Sequence, residues 1–282
     1  MAEPHYDCSI NSLNFPMTNQ LHSILLQKET EVQALYQRRK KDPSSPLAKL
    51  LRGEISVPVK KSFSAALQQP GLSVIAEIKR RSPSKGLLAE IEDPVGLARR
   101  YQQGGASALS ILTDEKFFGG SLQDLIQVTE ALVSNPLPVL RKDFVIDPIQ
   151  IAEAALAGAS AVLVIVAVLG AKTATIIKSA LALQLDVLVE VHDAEELNMA
   201  LDAGATIIGI NNRNLKTFEI DTNRALNLTA QIPRTILRVA ESGITTPALA
   251  RAYHQAGFDG ILIGEALVRS EDPKFFIHEC IN

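Results

Sequence analysis

Tryptophan is absent from this 282-residue chain, and aromatic residues make up only 5% of it. Proteins that hold nucleic-acid bases need aromatic platforms and usually a strongly basic surface. A net charge of -3 and a pI near 6.0 point away from that class. Cysteine is nearly missing too: Cys8 and Cys280 stand near opposite ends. Neither has a metal-type or disulfide-framework spacing, so free thiols in a reducing compartment are expected. The histidines (His5, His22, His192, His254, His278) are scattered, which argues against a zinc site. Long apolar runs are lacking as well. The longest, Ala161 to Leu169, is far too short to cross a bilayer. The first residues include Glu3 and Asp7 and no early arginine, unlike a signal or transit peptide. A cytoplasmic protein is expected, with no metal and no membrane or nucleic-acid partner.

What is present is an ordinary globular composition, 46% hydrophobic and 21% charged. Residues 1–18 are polar and patternless, and a flexible tail is expected there. Leu21, Ile24, Leu25, Val32, Leu35 and Tyr36 recur at helical spacing, and Asp42-Pro43-Ser44-Ser45-Pro46 breaks the pattern. Residues 19–72 are read as a helical extension packing on the main body.

From residue 73 to 282 the chain alternates. Short β-rich runs fall near 74–78, 108–112, 138–142, 161–166, 186–190, 207–211, 236–240 and 260–264. Between them lie helical patterns, several opened by Asp93-Pro94, Asp147-Pro148, Asp193 with Glu196, or Thr246-Pro247. A glycine recurs ahead of every second run: Gly105, Gly158, Gly204 and Gly257. Each ends a helix and turns the chain back toward the sheet. Eight such units fit a closed parallel barrel, the (β/α)8 TIM barrel of the α/β class, with an N-terminal helical extension. A doubly wound open sheet is the runner-up, but its Gly-rich phosphate loop after the first strand is missing.

Chemistry in such a barrel sits at the C-terminal strand ends. Here every strand but the fourth ends in polar or ionisable residues. The first offers Glu77 and Lys79, two residues apart and therefore on one face. The second runs into Thr113-Asp114-Glu115-Lys116-Phe117-Phe118-Gly119-Gly120, and the third into Arg141-Lys142-Asp143-Phe144. Glu190-Val191-His192, Asn211-Asn212-Arg213, Glu241-Ser242-Gly243 and Gly264-Glu265 end the fifth to eighth. Any one of these could be a solvated loop residue, and His192 reads as a neighbour of the helix cap at Asp193. A purely structural barrel has no reason to collect them all at one end. Glycines after strands seven and eight suit a phosphate held by backbone N–H groups.

These stretches resemble the indole-3-glycerol-phosphate synthase family over roughly residues 20 to 280. The most specific is Glu77-Ile78-Lys79-Arg80-Arg81-Ser82-Pro83-Ser84; Leu140 to Phe144, Val189 to His192, Gly209 to Leu215, Ala240 to Ile244 and Leu262 to Leu267 follow in order. The resemblance implies a carboxy-lyase (a decarboxylase) of tryptophan biosynthesis without cofactor. It closes 1-(2-carboxyphenylamino)-1-deoxy-D-ribulose 5-phosphate into indole-3-glycerol phosphate, carbon dioxide and water. It further implies Lys142 as general acid at ring closure and Glu190 as general base at dehydration, on opposite sides of the small ring. Lys79 is the competing acid, and Glu77 orients a lysine. Asn211 and Glu241 are expected to hold the substrate's polar edge, Ser82 and Arg213 its carboxylate. Phe118, Phe144, Leu163 and Leu215 line the ring pocket, with Phe118 in a lid-like loop. Ser242, Gly243, Gly264 and Glu265 cradle the phosphate. Lys79, Arg80, Lys116, Lys142 and Arg213 are expected to make the mouth electropositive. Association with other tryptophan-pathway enzymes is a further expectation. Many relatives carry an aromatic in the N-terminal segment; with no tryptophan here, that segment's contribution stays open. Rival readings are another phosphate-binding barrel, such as an isomerase or epimerase, a Schiff-base aldolase, and a scaffold protein with a barrel fold.

Overall fold

Val, Ile and Leu dominate eight short segments, and a parallel strand covered by helices is buried on both faces. In the computed structural model, which describes residues 19–215 and 217–282, these segments are β1 (Ser73–Ile78), β2 (Ala108–Leu112), β3 (Val139–Lys142), β4 (Ala161–Ile165), β5 (Asp186–Val191), β6 (Ile207–Asn211), β7 (Leu237–Glu241) and β8 (Gly260–Ile263). Each coincides with a run read from the sequence to within a residue at either end. The expected tail at 1–18, with Cys8, lies outside the described residues.

All neighbours are parallel, and β8 pairs back onto β1 with Gly260 opposite Ser73, so the sheet closes into a barrel. Closure rules out the open-sheet alternative. The helix-start signals act as expected. The side chains of Asp93, Asp147, Asp193 and Thr246 each accept a hydrogen bond from a backbone N–H in the first turn of the helix that follows. Gly105, Gly158, Gly204 and Gly257 all hold positive φ, from 83° to 95°, which a side chain would resist.

The N-terminal helix α1 (Asn19–Lys41) lays its apolar stripe on the barrel. Leu21, Ile24 and Leu25 join the main core, while Val32 and Leu35 pack with Ile149. Tyr36 donates from its hydroxyl to Asp147 at 2.9 Å. The same stripe carries a cation. Lys28 is only 1% exposed, and its Nζ lies 2.9 Å from Glu31, 2.9 Å from Asp114 and 2.8 Å from Asp143. Burial pulls the Lys28 pKa down, but Asp143 and Asp114 raise it further, so the amine stays charged. Asp143 is likewise buried, yet Arg141 and Lys28 hold its carboxyl at about 2.

This lock joins the extension to the loops that follow β2 and β3. A buried pair that loses one partner leaves an uncompensated charge. Lys28→Met should therefore lower the unfolding free energy by about 3–5 kcal/mol in a urea titration near neutral pH. A loss below about 1 kcal/mol would mean that the lock behaves like a surface ion pair.

Candidate active site

Side chains alternate along a strand, so one parity of each barrel strand points inward. At the C-terminal rim the inward positions are Glu77, Lys142, Glu190, Asn211 and Glu241, and all five line one pocket. Lys142 Nζ lies 3.3 Å from Glu190 Oε2 and 3.4 Å from Glu241 Oε2. Lys79, just beyond β1, sits 2.5 Å from Glu77 Oε1. Asn211 reaches the Glu190 carboxylate, while its Oδ1 accepts from the Arg213 backbone N–H at 3.0 Å. Two glycines make room for this crowding. A Cβ on Gly209 would collide with the Glu241 carboxylate, and one on Gly264 with that of Glu77.

The charges are mutually dependent. Burial penalises the Lys142 ammonium, but Glu190, Glu241 and Glu77 raise its pKa more than burial lowers it. The lysine is thus held protonated. Burial also opposes ionisation of Glu190, yet Lys142, His192 and Asn211 win, and its carboxyl stays well below the usual range. Glu241 goes the other way. Burial, with Glu190 and Glu77 nearby, lifts it to about 8 against the pull of Lys142. Its Oε1 is buried with no hydrogen-bond partner, so a protonated Glu241 has a donor to offer a ligand.

The structure corrects several expectations. Phe118 lies not in an open loop but in a helical turn, Glu115–Phe118, capped by Asp114 and ended by Gly119 at φ 65°. Its ring sits 6.0 Å from that of Phe144. Arg80 and Lys116 do not line the pocket. Arg80 is spent on Asp124 and the carbonyls of Gly119 and Ile91, and Lys116 reaches Gln27 of α1. The basic side chains at the pocket are Lys79, Lys85, Lys142 and Arg213.

The other expected residues do meet there: Ser82, Phe118, Phe144, Leu163, Leu215, Ser242, Gly243, Gly264 and Glu265 all line the pocket. The Ser82 hydroxyl is buried without a partner. Ser242 and Gly243 both have positive φ, 64° and 78°. Asn212 fixes this bend by donating from Nδ2 to the Ser242 carbonyl at 3.0 Å. At Gly243 a side chain is barred, because a Cβ would stand 2.5 Å from Ile220 Cγ2. Gly264 leads into the short helix Glu265–Val268. Glu265 itself pairs with Lys85 at 2.7 Å.

Sequence reasoning missed the part played by four residues. Leu21 and Ile24 of α1 line the pocket, so the extension supplies aliphatic rather than aromatic wall. Lys28 stood in the apolar stripe, which was its signal. His192 does stand in the loop beside the cap at Asp193, but its ring is buried between Glu190 and Glu196. Its place two residues beyond Glu190 was the clue.

The pKa shifts fix a sign for stability. A carboxyl held protonated in the fold to about 8, but ionising near 4.3 when unfolded, stabilises fully below the lower value. That contribution is lost as the pH rises toward the folded pKa. His192, raised to about 9 because Glu190 and Glu196 outweigh its burial, adds a loss at higher pH. Glu241→Gln should therefore flatten the decline of unfolding free energy with rising pH between the carboxylate range and about 8, measured by denaturant titration. An unchanged slope would contradict a protonated Glu241.

Comparison with known proteins gives the same picture. Residues 21–280 match the family model described as indole-3-glycerol phosphate synthase. The indole-3-glycerol phosphate synthase of Chlorobium chlorochromatii is 47% identical over 261 residues, covering 91% of this chain and 98% of the relative. That of Rhodococcus jostii is 49% identical over 220 residues, 78% of this chain and 81% of the relative. Among solved structures, the tryptophan synthase alpha chain of Legionella pneumophila overlays with a TM-score of 0.57 at 13% identity, over 77% of this chain and 94% of that one. Thiamine phosphate pyrophosphorylase from Pyrococcus furiosus gives 0.57 at 17% identity, over 74% and 93%. Those two likenesses speak to the barrel alone. The family match, the two sequence relatives and the barrel together place this chain in the indole-3-glycerol phosphate synthase family.

Proposed function

We propose that this pocket closes the indole ring of 1-(2-carboxyphenylamino)-1-deoxy-D-ribulose 5-phosphate, giving indole-3-glycerol phosphate, carbon dioxide and water. The chain is then a carboxy-lyase of tryptophan biosynthesis. The observation that carries the residue roles is the buried Lys142–Glu190 contact, flanked by the Lys79–Glu77 pair. Two acid–base couples face one apolar-walled pocket, and the reaction needs two proton donors and one acceptor.

Ring closure begins when the aromatic carbon bearing the carboxylate attacks the ketone. Charge grows on the ketone oxygen. Lys142 donates its proton there; an alkoxide is so basic that even a tightly held ammonium proton moves downhill to it. Loss of carbon dioxide returns the bonding pair to the aromatic ring. The new hydroxyl then leaves as water on a proton from Lys79, which Glu77 orients. Glu190 takes a proton from the ring carbon beside the nitrogen, and that bonding pair closes the indole double bond as the hydroxyl departs. Asn211 and Glu241 hold the polar edge. Arg213 and the Ser82 hydroxyl meet the substrate carboxylate, at the end of the pocket away from the phosphate. Phe118, Phe144, Leu163 and Leu215 enclose the ring. Backbone N–H groups at Ser242–Gly243 and Gly264–Glu265 receive the phosphate, whose charge Lys85 balances.

A Schiff-base aldolase fits less well at Lys142, because an amine held as its ammonium has no lone pair for the carbonyl. Among the described residues no helix is long and apolar enough to cross a membrane. We place the enzyme in the cytoplasm, where it associates with other enzymes of its pathway.

Lys142→Met keeps the length of the stem and removes the proton. Its kcat, followed by indole fluorescence, should fall at least about 100-fold, the usual scale for losing a positioned acid. Substrate affinity should change little. Near-normal turnover in this variant would sink the assignment.

A further inference from the structure

β5 ends in Glu190 and Val191, and strand alternation puts His192 beside Glu190, one pair further toward the rim. The imidazole is 10% exposed and lies between two carboxylates. Glu196, in the first turn of the helix Ala194–Asp202, grips it from outside. One Glu196 oxygen lies 2.8 Å from the His192 backbone nitrogen and 2.9 Å from Nδ1. An ionised carboxylate only accepts, so Nδ1 carries a hydrogen. Nε2 is buried, makes no hydrogen bond of normal geometry, and faces Glu190 Oε1 at 3.4 Å. A lone pair there would confront a buried negative charge. An N–H would meet it favourably.

We infer that His192 is a positioning residue for Glu190: clamped by Glu196, its imidazolium presents Nε2–H to one carboxylate oxygen and keeps the other ready to accept the substrate's proton. This rests on the base role given to Glu190 above. The groups facing Glu190 are Lys142 from β3, Asn211 from β6 and His192 just beyond β5, with Glu241 from β7 and Glu77 from β1 close by. Those facing His192 are Glu190 and Glu196. Glu190 thus has a cation at each oxygen, Lys142 at Oε2 and His192 at Oε1. The two differ in what the reaction does to them. Lys142 gives up its proton at ring closure, before Glu190 is needed. His192 is not consumed, so it is the counter-charge that remains when the base must act. The raised pKa of His192, about 9 with burial overcome by Glu190 and Glu196, agrees with a ring that stays charged at neutral pH.

The test is the pH profile of single-turnover indole formation in the full chain. His192→Gln keeps a neutral donor near the position of Nε2. Its acid limb should move to higher pH by about one unit or more, because removing an opposite charge at this range raises a carboxyl pKa. Glu196→Gln leaves the ring in place and weakens its charge, so a smaller shift in the same direction is expected. If His192→Gln does not fold, the Glu196 variant decides alone. An acid limb that stays put, with rates lowered by one factor at every pH, would make His192 merely structural and overturn the inference. Glu190→Gln separates the two readings. Wild-type indole formation in it removes the base role, and the inference with it. No indole formation there, combined with a wild-type profile in His192→Gln, removes the inference alone.

Discussion

The site depends on the burial of Lys142 among carboxylates. An ammonium at the end of an apolar strand is costly unless partners surround it, and a cluster of carboxylates is costly unless cations divide it. Lys142 touches Glu190 and Glu241, and Lys79 touches Glu77. His192 adds charge at the far side of Glu190. The balance leaves one carboxylate ionised and another protonated within reach of one lysine. Different protonation states side by side are what separate acid, base and hydrogen-bond donor in one pocket.

The barrel supplies the positions, and small residues supply the space. Gly209 and Gly264 point where a side chain would press on Glu241 and Glu77. The N-terminal helix completes the arrangement from outside the barrel. Through Lys28 it holds Asp114, which caps the turn bearing Phe118, and Asp143, which follows Lys142 directly. Its Leu21 and Ile24 form part of the wall. One helix thus links pocket shape to the loops around the acid.

Much of this was legible in the sequence, for reasons that lie in strand and helix geometry. Apolar runs, capped helix starts and recurring glycines marked the eight units, because parallel strands buried on both faces leave no alternation to blur them. The polar strand ends marked the rim. What stayed hidden depends on which distant groups meet. The sequence places Lys116 and Arg80 near the mouth just as it places Lys79 and Arg213, and only the fold shows that Gln27 and Asp124 draw the first two away. His192 is the loop residue it looked like, and only the fold shows that Glu190 and Glu196 enclose its ring. Lys28 was concealed because its partners lie far along the chain.

The division of labour between Lys142 and Glu190 is the central claim. It can be tested in one single-turnover measurement on Glu190→Gln, using substrate labelled in its carboxylate carbon and following released carbon dioxide and indole fluorescence together. If Lys142 drives ring closure and Glu190 acts only at dehydration, labelled carbon dioxide appears at close to one equivalent per site while indole does not form. Loss of both signals together would contradict the separation of the two steps.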